Sequence, residues 1–143
     1  MAETLGSLCD KLTIVKLKQF HSKEKSRLKS LKEQELRLQN EINEFTNKAI
    51  NGLIPKESLL FEANKIFKKS GNNIKKIKGN LGQIFTLLAT TNCDLWHVQE
   101  KVYEFESVPA KQKDKTIKQL AILNLKRNKC IDEIDKIFIK LIK

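Results

Sequence analysis

Glycine and proline are scarce in this chain, with five and two copies in 143 residues. Sandwiches and barrels punctuate their many short strands with such residues, so the scarcity argues against both and for long helices. No apolar run approaches the roughly 18 residues that cross a bilayer. The first residues lack a basic stretch leading into an apolar core, so no secretory signal is expected. The three cysteines, Cys9, Cys93 and Cys130, are odd in number and far apart, with no CxxC pair. That spacing supports neither a disulfide framework nor a zinc knuckle, and a reducing cytoplasm is the natural compartment. A glycine-rich phosphate loop, a nucleophile elbow and an H-E-x-x-H pair are all missing. The paired acidic motifs of helical nucleotide pyrophosphatases are not formed either, so neither a metal nor a cofactor is expected.

Lysine is what the chain has in excess: 25 against three arginines, in a formal net charge of +11. Such a charge suggests nucleic acid. Asparagine and isoleucine are abundant as well, however, and A+T-rich coding explains all three enrichments together. The densest basic stretch, 65–78, holds six lysines and no acid, but no arginine and only Phe67 as an aromatic. Arginine and aromatics are the usual readers of phosphates and bases. Nucleic acid is therefore the weakest of the partner readings.

Apolar periodicity predicts an all-α protein. A first helix starts near Ser7, where Ser7 and Asp10 make an S-x-x-D start signal. Its stripe of Leu5, Leu8, Leu12 and Val15, with Ile14, Leu17 and Phe20 on other sides, predicts a helix in the middle of a bundle. A second helix, about 22–51, has Leu28, Leu31, Leu38, Ile42, Phe45 and Ala49 in heptad spacing, with Glu35 in the one vacant core slot. Gly52 ends this coiled-coil-like arm, and Pro55 opens a short helix over 56–69. Ser70 to Asn73 break the chain. A fourth helix carries Ile74, Ile77, Leu81, Ile84, Leu88, Leu95, Val98, Val102 and Phe105, and 107–109 stop it. A fifth runs from about Ala110 to near the end. The expectation is an antiparallel helical bundle of four long helices plus one short helix, in one domain over 1–143.

Polar residues break these stripes in a few places. In the last helix the stripe runs Ile117, Leu120, Asn124, Arg127, Ile131, Ile134, Phe138 and Leu141, so Asn124 and Arg127 occupy seam positions. Burying an amide and a guanidinium costs several kcal/mol unless partners are supplied. The fourth helix has a second stripe of Phe85, Ala89, Asn92, Trp96, Gln99 and Tyr103. It reads either as the wall of a pocket or as core aromatics beside satisfied amides. His97, Glu100 and Glu104 share the next face, near Cys93. A histidine and a carboxylate three residues on can share a divalent ion. With His21 distant in sequence and Lys101 nearby, a solvated ion-pairing face is the simpler reading. Asp132 and Asp135, flanked by Lys129 and Lys136, read as surface pairs. Asp10 and Lys11 are neighbours, so they point about 100° apart. Lys16 falls among apolar neighbours and is expected to snorkel to solvent rather than to meet a buried acid.

Three stretches together carry a resemblance. They are Leu8-Cys-Asp-Lys-Leu-Thr-Ile-Val15, Asn92-Cys-Asp-Leu-Trp-His-Val-Gln-Glu100, and Leu123-Asn-Leu-Lys-Arg-Asn128 with Ile131-Asp-Glu-Ile-Asp135. The last two resemble the bacterial family called domain of unknown function 4254, with its N-x-x-LWH-x-ED core, late N-Q-x-R-N-D, and I-E-x-I-D. The first resembles a related uncharacterised family with a D-K-I-T-I-L start. The matching positions are Asp10, Lys11, Asn92, Trp96, His97, Glu100, Asn124, Arg127, Asn128 and Asp135. The chain departs from the pattern at Gln99, where the family has an acid, at Tyr103, where it has arginine, and at Leu125 and Lys129. These families tend to be encoded beside glycosyltransferases, so the resemblance implies a link to surface-glycan or sugar-nucleotide metabolism.

Three functions follow as expectations. The first is a binding or assembly module, with no enzymatic activity, whose polar pocket around Arg127 takes a small anionic ligand or a partner protein. Asn124, Asn92, Trp96, Gln99, Asp10 and Lys11 would complete that pocket. The arm over 22–51 would offer a surface for a homo-oligomer, and no membrane partner is expected. The second is a small enzyme acting on a nucleotide or sugar phosphate, with His97 as general acid or base and Glu100 orienting it or holding Mg²⁺. It requires His97 to face the same cavity as Arg127. The third is the lysine-rich nucleic-acid binder.

Overall fold

The computed structural model describes residues 3–60 and 74–142. Within them are four long helices: α1 (Leu5–His21), α2 (Lys25–Ile50), α3 (Leu81–Tyr103) and α4 (Ala110–Leu141). Single 3-10 turns stand at Lys56–Ser58 and Phe105–Ser107, and no strand occurs among the described residues. The protein is an all-α helical bundle. Most of the expected short helix over 56–69, and the break after it, lie outside the described residues. No helix among the described residues is long and apolar enough to cross a membrane.

Helix ends explain where the elements differ from expectation. α1 starts one turn before Ser7. Thr4 is its cap: the Thr4 hydroxyl accepts from the Ser7 N–H at 3.2 Å, and the Ser7 hydroxyl accepts from the Thr4 N–H at 2.9 Å. Asp10 is thereby left out of the capping and turns inward. α2 ends as expected. The Leu53 N–H donates to the Lys48 carbonyl at 2.9 Å and the Gly52 N–H to that of Ala49 at 3.1 Å. This closure needs the left-handed φ of 71° that Gly52 supplies. α3 begins at Leu81, not at Ile74. Asn80 and Gln83 cap each other's backbone N–H groups at 2.9 Å, and Gly79 before them has a φ of 143°. Ile77 is buried without being helical.

α1 packs against α2, α3 and α4, which makes it the central helix. α2 lays its stripe of Leu28, Leu31, Glu35, Leu38, Ile42, Phe45 and Ala49 inward and exposes the rest. One core joins Leu5 and Cys9 of α1 and Ala49 of α2 to Ile84 and Leu88 of α3 and Cys130, Ile134 and Phe138 of α4. A smaller cluster of Leu95, Val98 and Leu123 closes α3 on α4 further along. The seam of α4 is rotated from the expected one. Thr116, Leu123, Cys130, Ile134 and Phe138 are buried, whereas Ile117 and Leu141 are exposed. Arg127 stays beside the true seam and is half-buried.

Two positions let α1 approach α4. A Cβ on Gly6 would lie 2.4 Å from the Ile131 carbonyl oxygen, so only glycine fits there. Directly below, Asp135 accepts the Gly6 N–H at 2.7 Å. Asp135 is 1% exposed, so it is no surface partner of Lys136 as expected; it occupies the positive end of α1. Burial pushes its carboxyl up to about 6, against the opposing pull of the Gly6 N–H and the Thr4 hydroxyl.

Two outcomes follow. Gly6→Ala should destabilise the fold by about 1–3 kcal/mol in urea unfolding, the scale of an overpacked core contact. Between pH about 4 and 6 the folded protein holds a proton on Asp135 that the unfolded chain has released, so this group's contribution falls as pH rises. The stability of wild type relative to Asp135→Asn should therefore drop by about 2 kcal/mol from pH 4 to pH 7. A gap independent of pH would contradict the buried, proton-holding carboxyl.

Candidate functional site

Asp10 is the most constrained polar group in the bundle. Its carboxylate projects from the middle of α1 and is 3% exposed. Arg127 of α4 grips it with two bonds, Nε to Oδ1 at 2.9 Å and Nη2 to Oδ2 at 2.5 Å. Asn92 of α3 donates its Nδ2 to the same Oδ1 at 2.9 Å and to the Thr13 hydroxyl oxygen at 2.7 Å. Thr13 in turn donates to the Asp10 carbonyl at 2.7 Å. The bond from Asp10 raises the Arg127 pKa, against the effect of burial. Among the described residues no buried side-chain nitrogen or oxygen lacks a partner. Asp10, Asn92 and Arg127, expected as one cluster, are one clasp across three helices.

A cavity of about 650 Å³ opens above this clasp. Its apolar floor is Ile14, Leu17 and Leu95. Arg127, Asn124 and Gln99 contribute polar groups, and Trp96 and Tyr103 contribute rings. A guanidinium has five N–H donors; two of Arg127's are committed to Asp10, and its side chain remains 31% exposed. Lys18 and Arg27, neither singled out by the sequence, complete the wall and have no acidic partner among the described residues. Glu100 is the one acid that lines it. The site thus gathers three cations near Glu100, one of which, Arg127, is already paired with Asp10. A helix-by-helix reading misses Arg27, because it reaches the cavity only through the turn that folds α2 back on α1, and misses Lys18 because it is one lysine among many.

The remaining candidates fall elsewhere. Lys11 points away and pairs with Glu3. His97 is exposed and does not line the cavity; its Nδ1 lies 3.0 Å from Oε1 of Glu100. His21, set aside as distant in sequence, stacks face to face on Trp96 with ring centroids 4.7 Å apart, and its ring is 6.0 Å from that of His97. Both histidines of the chain therefore meet at the cavity rim. Lys16 does not simply snorkel: its ammonium lies 3.2 Å from Glu35, the buried acid of α2. Gln19 and then Lys16 hold that carboxyl below its usual range. Burial pushes the thiols of Cys9 and Cys130 up to about 11, which removes them as nucleophiles at neutral pH. Among the described residues no group of three or more His, Cys, Asp or Glu is arranged to hold a metal ion.

Removing Arg127 would strand a buried carboxylate. Arg127→Ala should cost about 2–3 kcal/mol in urea unfolding, at the low end for a buried pair because one side of the guanidinium meets water. Asp10→Asn in the same chain should recover part of that loss, since the charge left behind is what destabilises. No family model, no curated protein and no solved structure matches this chain.

Proposed function

We propose that the protein is a binding module, and that the cavity between α1, α3 and α4 takes a small anionic ligand. The observation that carries this reading is the convergence of Lys18, Arg27 and Arg127 on one concave, part-apolar space with a single lining acid. Asp10 balances Arg127, whereas Lys18 and Arg27 have no acidic partner among the described residues, and pockets of this volume suit small ligands. Arg127 has two roles in this account. Its grip on Asp10 sets the guanidinium in place beforehand, which lowers the ordering cost of binding. Its remaining donors, with the Asn124 amide, then face the ligand. The three free cysteines fit a reducing, cytoplasmic setting. The resemblance of the Asn92–Glu100 and Leu123–Asp135 stretches to families encoded beside glycosyltransferases makes sugar phosphates early ligands to try.

An enzymatic role for His97 gains no support, because His97 lies outside the cavity that holds Arg127. Of the lysine stretch 65–78, most lies outside the described residues, and no specific observation favours nucleic acid.

The test is thermal unfolding with millimolar inorganic pyrophosphate and sugar phosphates. A ligand at about 100 times its Kd should add about 2.7 kcal/mol of stability, a shift of several degrees. The shift should shrink in Lys18→Ala/Arg27→Ala, which leaves the Asp10 clasp whole. Absence of any shift in wild type, or an equal shift in the double variant, would sink the reading.

A further inference from the structure

The cavity is cationic along part of its wall and aromatic along another part, which constrains the ligand beyond its charge. Trp96, Gln99 and Tyr103 stand at i, i+3 and i+7 on one face of α3, and all three line the cavity. Tyr103 is 86% exposed, an unusual state for a large ring that nonetheless forms part of a concave wall. The imidazole of His21 stacks on one face of Trp96 at an interplanar angle of 7°, which leaves the exposed Tyr103 ring as the open stacking surface of this wall. Between the two rings the Gln99 side chain offers an amide, a group with both a donor and an acceptor, and it has no hydrogen-bond partner of its own among the described residues.

We infer that the ligand is a nucleoside phosphate, its base stacked along the Trp96–Tyr103 face with Gln99 at the base edge and its phosphates on Lys18, Arg27 and Arg127. This deepens the anion-binding reading and rests on it. The chemistry of each part favours this class over an anion without a ring. Aromatic side chains stack any base, because every base has a π-face. An Asn or Gln amide can match the donor–acceptor edge of a base. Lys18, Arg27 and Arg127 against the Glu100 and Asp10 carboxylates leave one excess positive charge, opposite in sign to a phosphate or diphosphate. Inorganic anions would use the cationic wall and leave Tyr103 and Gln99 idle.

Isothermal titration of ADP, UDP and inorganic pyrophosphate, without metal and at one ionic strength, separates the two levels. ADP or UDP should bind about tenfold more tightly than pyrophosphate, the scale of one base–aromatic stack. Tyr103→Ala should remove most of that tenfold preference and leave pyrophosphate binding unchanged. Because Tyr103 is exposed, this variant keeps the fold, which circular dichroism checks. Arg27→Ala should weaken all three ligands alike. If pyrophosphate binds as well as the nucleotides, or Tyr103→Ala leaves the nucleotide preference intact, the nucleoside assignment is overturned and the anion site stands. If none of the three binds, the nucleoside assignment falls together with the anion site beneath it.

Discussion

A carboxylate in the middle of a central helix cannot stay dry and charged without donors. Asp10 takes three of them, two from Arg127 and one from Asn92, and they come from two other helices. That requirement binds α1, α3 and α4 to one mutual register, because a slide by one residue would carry a donor out of reach. A hydrophobic seam alone is far less discriminating: Leu88 or Ile134 would tolerate many neighbours of similar size. The clasp contributes modestly to net stability, as buried ion pairs generally do. Its larger effect here is geometric. It holds the Arg127 guanidinium at the base of a cavity with donors to spare.

The same device appears where α1 meets its other neighbours. Glu35 fills the vacant slot of the α2 stripe and is met by Gln19 and Lys16 of α1 and by Lys32 of its own helix. Asp135 of α4 rises under the first turn of α1 and takes the Gly6 N–H. Each helix packed on α1 is therefore joined to it by at least one polar bond across the interface. α1 presents Asp10, Lys16, Gln19 and the Gly6 N–H at intervals along its length. A helix apolar on most sides has weak rotational preference, and these contacts supply it. Gly6 completes the set by removing the one Cβ that would keep α1 from the Ile131 carbonyl.

Periodicity made the elements legible where one face is strictly apolar. The α2 stripe from Leu28 to Ala49 faces inward, buried at Leu31, Glu35 and Ala49 and partly buried elsewhere, and Gly52 closes the helix. It misled where a capping signal competed with an apolar pattern. Ile74 and Ile77 match the register of α3, but the Asn80–Gln83 cap and the backbone of Gly79 start the helix later. On α4 the residues between Ile117 and Leu141 admit two seams a fraction of a turn apart, and the choice fell to Thr116, Leu123 and Cys130. Asp135 looked like a surface acid because its sequence neighbours are lysines. Those lysines point outward while Asp135 points in.

Asn124 and Arg127 stand out in the sequence because polar groups on a seam violate the pattern that forms the helix, and that violation is local. Asn92, Trp96 and Gln99 stand out for the same reason. The α-helical class, the α2 stripe and the α3 and α4 members of the polar cluster were thus legible from periods of three and four along one chain. Three-dimensional packing decided the rest. It chose Asp10 as the partner of Arg127, sent the adjacent Lys11 to the outer face, and brought Arg27 of α2 beside Lys18 of α1 in the same wall. It also brought His21 to within ring contact of Trp96 and His97, a sequence separation of 75 and 76 residues. Pairings between helices depend on rotation and register, and these are settled by where buried charges find donors, which no single helix's periodicity encodes.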